Sequence, residues 1–122
     1  MTAHTPGRPV RAVLFDLDGT LLDSIPDLSE ACHRMMVELG RAPHSIDTIR
    51  TFVGKGMLNL VSRCLAEHGT ASDAEIAAAV EAFRRHYAAV NGLATTLYEG
   101  VVPALAALQA QGVAMACVTN KP

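Results

Sequence analysis

The sequence predicts an α/β fold in which a parallel sheet is begun by one strand, interrupted by a helical insert and resumed by a second strand. Three observations carry this. Residues 10–16, VRAVLFD, form an apolar, β-branched run that ends in an acid. Residues 24–91 place apolar side chains at helical spacing. A further helix then leads into a second apolar run, VAMACV at 113–118. Strands joined through helices are the pattern of parallel sheets, whose strands are covered on both faces.

Each element has its own signal. The 10–16 run has the length of a buried strand. The first helix is announced by Ser24 with Asp27 as a capping pair and Pro26 in the first turn. Ile25, Leu28, Met35 and Leu39 form its stripe, which stops at Gly40. A short segment around Ile46, Ile49 and Phe52 leads to the turn Gly54-Lys55-Gly56. Leu58, Val61 and Leu65 set a second periodic stretch before Gly69. The clearest helix starts at Ser72, completes a capping box with Glu75, and presents Ile76, Val80, Phe83 and Tyr87. From about Thr95 the chain reads as loop, then a helix with Leu105 and Leu108 that stops at Gly112, then the second strand. Pro122 stands where a following helix would begin.

Composition removes several classes of function. A net charge of −2 gives no electrostatic case for nucleic acid or an anionic membrane as partner. With 4% aromatic residues and no Trp, stacking platforms for bases are not expected. Apolar residues make up 50% of the 122, which excludes disorder, yet no apolar run approaches the roughly 20 residues of a membrane span. The N-terminal MTAHTPGRP lacks the apolar core of a secretory signal. Cys32, Cys64 and Cys117 are odd in number and set among apolar residues, which suits buried thiols in the cytoplasm better than disulfides.

The chemistry concentrates at Asp16-Leu17-Asp18-Gly19-Thr20. Two carboxylates at the carboxyl end of a strand stand where open α/β sheets place their sites. One can act as nucleophile and metal ligand while the other moves a proton. Oxygen ligands of this kind suit Mg²⁺. A tight hairpin turn, which Asp18-Gly19 between VLF and LL also satisfies, stays open on residue chemistry alone. An EF-hand calcium loop fits less well, because the glycine comes too early.

The longer string Val13-Leu14-Phe15-Asp16-Leu17-Asp18-Gly19-Thr20-Leu21-Leu22-Asp23-Ser24 resembles the first motif of the haloacid dehalogenase superfamily, specifically its phosphatases. The strand VAMACV followed by Thr119-Asn120 is similar to that family's second motif. Within the family, Val118-Thr119-Asn120-Lys121-Pro122, Gly54-Lys55-Gly56 and Tyr98-Glu99-Gly100-Val101 look most like bacterial phosphoglycolate phosphatases. The resemblance implies a Rossmann-like core at 1–21 and 96–122 and a helical cap at 22–95. It also implies a Mg²⁺-dependent phosphatase of a small phosphorylated metabolite, with 2-phosphoglycolate as the substrate it points to. Asp16 would be the nucleophile and Asp18 the general acid and base, with both contributing to the metal site. The resemblance also implies a turn at Leu17 that lets both carboxylates face the substrate. Thr119 and Asn120 would bind the phosphoryl group, although a strand-end Thr also bonds its own backbone. Lys55 would meet a substrate carboxylate, or else be a solvated lysine.

A phosphosugar mutase, another phosphatase of the same superfamily and a non-catalytic binding fragment are the alternatives. The family pattern continues past its second motif with a lysine and a second acidic pair. Lys121 follows the second motif directly and is not that lysine. The chain is therefore expected to be the N-terminal part of a longer protein, with an incomplete sheet, inactive or nearly so and prone to aggregate by itself. Thr20 and Asp23 are expected to shape the turn and hinge. His33, His44, His68 and His86 lack metal spacing and are expected on helix surfaces. Arg84-Arg85 reads as solvated and Cys117 as core.

Overall fold

A computed structural model describes residues 7–67 and 69–121; the readings of His68 and Pro122 lie outside the described residues. Strand β1, Ala12–Phe15, pairs in parallel with β4, Ala114–Cys117, in the register Ala12↔Ala114 to Phe15↔Cys117. Helix α5, Val101–Ala110, makes the crossover between them and packs on β4. The intervening chain holds four helices: α1 (Ile25–Glu38), α2 (Ile46–Phe52), α3 (Met57–Ala66) and α4 (Asp73–Val90). The fold class read from the sequence is the one observed.

Both expected glycine stops are left-handed caps. Gly40 has φ +69°; its N–H bonds Val37 O, and Arg41 N–H bonds Met36 O at 2.8 Å, so the orphan carbonyls of the last turn of α1 are satisfied. The same pair of bonds closes α5 at Gly112. The Ser72–Glu75 capping box is formed in both directions at the start of α4. Ser72→Ala removes an acceptor from the first turn and should lower stability by about 1 kcal/mol, read as a shift in the urea midpoint monitored by helical circular dichroism.

The hydrophobic core lies inside the four helices. Met35, Met36, Ile49, Val61, Leu65 and Phe83 are its large, fully buried members. Two apolar faces differ in detail from the periodicity. Leu58 is exposed and α3 buries Leu60, Val61, Cys64 and Leu65. On α4 the buried positions are Ala79, Ala82, Phe83, Tyr87 and Val90, with Ile76 and Val80 half-buried, because small alanines let α4 lie close against α1. Cys32 and Cys64, 32 residues apart in sequence, meet in this core. A hydrogen bond to the Cys64 sulfur, together with burial, pushes the Cys32 thiol well above its ordinary range.

The strands differ from expectation in their covering. The 10–16 run was predicted as a buried strand and Cys117 as core. Here Leu14 is 71% exposed, every residue of β4 is exposed, and Cys117 is exposed with it. The sheet of the described residues has two strands, and α5, itself apolar all round, has no buried residue. Arg85 is likewise not simply solvated: it grips Glu38 through both terminal guanidinium nitrogens, at 3.1 and 2.7 Å, and draws that carboxylate below the usual range. His33 is exposed, His86 stands 3.6 Å from Glu38, and His44 Nε2 lies 2.8 Å from Cys64 O with its ring edge-on to Phe52.

Two short strands join the helices to the sheet. β2, Leu22–Asp23, pairs antiparallel with β3, Thr96–Leu97, the latter in a stretch that the sequence reads as loop. Asp27 was expected to cap α1 with Ser24, but Ser24 makes no side-chain capping bond. The buried Asp27 carboxylate instead reaches across to the returning chain. It accepts the N–H groups of Gly92 (2.9 Å) and Ala94 (2.8 Å) and the hydroxyl of Thr95. Asp23 accepts Ile25 N–H at 3.4 Å, which ties the hinge to the first turn of α1.

Candidate active site

The loop after β1 is built around one carbonyl. Leu17 O accepts the N–H groups of Thr20 (3.3 Å), Leu21 (2.9 Å) and Leu22 (3.0 Å), so the chain reverses directly after Leu17. Gly19 makes this reversal at φ +80°, a region that side chains rarely adopt, and bonds Leu22 O at 2.8 Å. The turn brings Asp16 and Asp18 to the same cleft. Asp16 Oδ1 accepts the N–H of Leu17 at 2.8 Å, which fixes the carboxylate while leaving its other oxygen open.

The second wall comes from the end of β4. Val118 N–H continues the ladder to Phe15 O at 2.8 Å, placing Thr119, Asn120 and Lys121 beside the β1 loop. Thr119 Oγ1 accepts Lys121 N–H at 3.0 Å; its hydroxyl hydrogen remains free to donate. The cleft, about 120 Å³, therefore lies at the carboxyl ends of two adjacent parallel strands, where loops rather than side-chain layers decide the chemistry. Its opposite wall belongs to the helices: Leu28, Met57, Leu60 and Phe83 are apolar, and Gly54, Gly56 and Tyr87 supply the polar edges.

Lys55 sits between two cleft glycines but is itself exposed and does not line the cleft. The lysine that does is Lys121. Its ammonium donates to Asp18 Oδ1 at 3.2 Å and to the Tyr87 hydroxyl, and stands 5.0 Å from the Tyr87 ring centroid. Burial pulls this ammonium down, but the bonds to Tyr87 and Asp18 outweigh it and hold the group above the ordinary lysine range. Lys121 and Tyr87 had no assigned role in the sequence reading. The available signal was slight: a lysine next to the second motif, and an aromatic pair four residues apart on α4, which stacks at 5.5 Å.

Asp16 and Asp18 offer hard oxygen donors on one side of the cleft. Among the described residues, no group of three or more His, Cys, Asp or Glu side chains could hold a metal. Mg²⁺ does not require one, since it is commonly held by one or two carboxylates, water and substrate phosphate, and this donor set fits it. No helix among the described residues is long and apolar enough to cross a membrane.

Residues 10–122 match the family model of the haloacid dehalogenase-like hydrolases. The chain is 48% identical over 120 residues to a phosphoglycolate phosphatase of Pseudomonas fluorescens, covering 96% of this chain and 44% of that protein. It is 46% identical over 118 residues to a plasmid phosphoglycolate phosphatase of Cupriavidus necator, covering 97% and 51%. A crystal structure of a predicted phosphoglycolate phosphatase from Haemophilus somnus superposes with a TM-score of 0.82 at 30% identity, over 93% of this chain and 52% of that one. The chain spans about half the length of the curated relatives it matches.

Proposed function

The chain belongs to the haloacid dehalogenase-like hydrolases, and from that premise we propose that its protein is a Mg²⁺-dependent phosphatase of a small phosphorylated metabolite, 2-phosphoglycolate. The observation that carries the reading is the convergence of Asp16, Asp18, Thr119 and Asn120 on one cleft at the strand ends. The curated relatives named phosphoglycolate phosphatase support the substrate. The helices between residues 22 and 95 act as a cap over that cleft, and the free, buried Cys32 and Cys64 suit a cytoplasmic setting.

In this reading the open oxygen of Asp16 attacks phosphorus. A new O–P bond forms as the ester P–O bond breaks, and Asp18 gives a proton to the departing alkoxide. Asp18 then takes a proton from water, whose oxygen attacks the aspartyl-phosphate. The O–P bond to Asp16 breaks, and phosphate and the free carboxylate are released. Thr119 Oγ1–H and the Asn120 amide donate to phosphoryl oxygens and hold the group in line. The Asp16 carboxylate and the Asp18 carbonyl would hold Mg²⁺, which when bound offsets the negative charge of the phosphoryl group. Lys55, in the turn between Gly54 and Gly56 at the edge of the cleft, is the lysine proposed to meet the substrate carboxylate, its side chain being exposed outside the cleft lining here.

Phosphate release by the full-length protein tests this. The expected result is turnover of 2-phosphoglycolate that EDTA stops and Mg²⁺ restores, with a neutral-headed phosphosugar turned over more slowly. Equal rates on both substrates, or rates indifferent to EDTA, would count against it.

A further inference from the structure

The side chains of α1–α4 form their ion pairs and hydrogen bonds among themselves and with the hinge. Among the described residues, one side-chain hydrogen bond joins these helices to the loops that follow β1 and β4: Lys121 Nζ to the Tyr87 hydroxyl. The same ammonium holds Asp18 Oδ1 at 3.2 Å. Tyr87 is anchored rather than loose, being 4% exposed and stacked on Phe83 at 5.5 Å with the rings 16° apart. Lys121 is drawn inward although residues 114–120 are all exposed; its side chain is 14% exposed, and its backbone is fixed by the bond to Thr119 Oγ1.

We propose that Tyr87 and Lys121 form a latch through which seating of the helices sets the position of the Asp18 carboxylate. With the helices seated, the Tyr87 hydroxyl accepts from Lys121 and aims the ammonium at Asp18. When they lift, the hydroxyl leaves, and Lys121 loses the partner that orients it. Asp18 is then held for proton transfer only while the cleft is covered and water is limited, which couples closure to chemistry. Lys121 and Tyr87 are positioning residues in this scheme, which rests on the phosphatase reading for the role of Asp18.

The test compares Tyr87→Phe, Lys121→Met and Lys121→Arg in the full-length protein, on 2-phosphoglycolate and on a phosphomonoester without a carboxylate. Tyr87→Phe keeps the stacked ring and removes only the hydroxyl. It and Lys121→Met should each lower kcat about tenfold on both substrates, with KM little changed, as misplacement of a reacting group does. The double variant should be no worse than the poorer single one, because both remove the same link. Lys121→Arg should recover part of the loss. Backbone hydrogen exchange at residues 17–22 should quicken in Tyr87→Phe, a readout that stands even if no phosphomonoester is turned over. A rise in KM confined to 2-phosphoglycolate would make Lys121 a substrate receptor and overturn the latch. Unchanged kcat and unchanged exchange in Tyr87→Phe would overturn it as well.

Discussion

On the proposed mechanism, Asp16→Asn is expected to abolish phosphate release by the full-length protein, a loss of roughly 10⁴-fold or more, because an amide oxygen cannot replace the carboxylate proposed to bond phosphorus. The substitution is nearly isosteric, and Asn can still accept the Leu17 N–H now made by Asp16 Oδ1. The loop turned around Leu17 O should therefore persist, and the thermal midpoint should stay close to that of the parent. Rapid-quench mass spectrometry supplies the second readout. The parent should carry a transient +80 Da adduct, and Asp16→Asn should carry none. Residual turnover within about tenfold of the parent would show that another group attacks phosphorus.

The largest expected effect on stability is at Asp27. Asp27→Ala should cost about 3 kcal/mol, since it strands two N–H groups and a hydroxyl that the buried carboxylate now satisfies. Burial pushes this carboxyl up, but the bonds from Thr95, Ala94 and Gly92 outweigh burial and hold it below the usual carboxylate range. The sign follows from that direction. The unfolded group titrates near pH 3.9 and the folded one lower, so the stabilisation is complete above about pH 4. It is lost as the pH falls below that value through the folded pKa. Asp27→Asn, which keeps the volume but not the charge, should lose about half as much stability at pH 7 and should flatten the acid limb. Urea unfolding at pH 7 and at pH 3 measures both. A parent and Asp27→Asn that lose equal stability between those two pH values would refute the assignment of the acid limb to this carboxylate.

What could be read along the sequence is what local spacing determines. The apolar run at the start, the capping box at Ser72 and Glu75, and the stops at Gly40 and Gly112 each need neighbours within five residues; the run forms a strand, though not the buried one expected, and the box and both stops form as expected. The pairing of Asp16 and Asp18 with Thr119 and Asn120 was legible through the resemblance of two short motifs, and the structure brings all four to one cleft. What was not legible depends on distant partners. Asp27 has the spacing of a first-turn acid, and nothing local shows that its donors lie 65 to 68 residues on. Lys121 meets Asp18 across 103 residues and Tyr87 across 34. β2 and β3 have two residues each, too few for alternation to register. Alanine recurs around α4, so its pattern could not single out Ala79 and Ala82 as the buried pair. The uncovered strands reflect what packs against them, which a hydrophobic run does not specify.

The β2–β3 pairing also bears on how the chain folds. To pair β1 with β4 directly, an unfolded chain must bring Ala12 to Ala114 across a hundred residues. Closing such a loop is slow, because its entropy is lost before any ladder bond forms. The helices have their own core and local contacts, and their two ends are gathered at Leu22↔Leu97. Once they have formed, the segment still to be closed shrinks to less than a third of its length, which lowers the entropic barrier by about 1 kcal/mol. A bundle that assembles first would thus deliver the parallel strands to each other, and the insert would nucleate the sheet it interrupts.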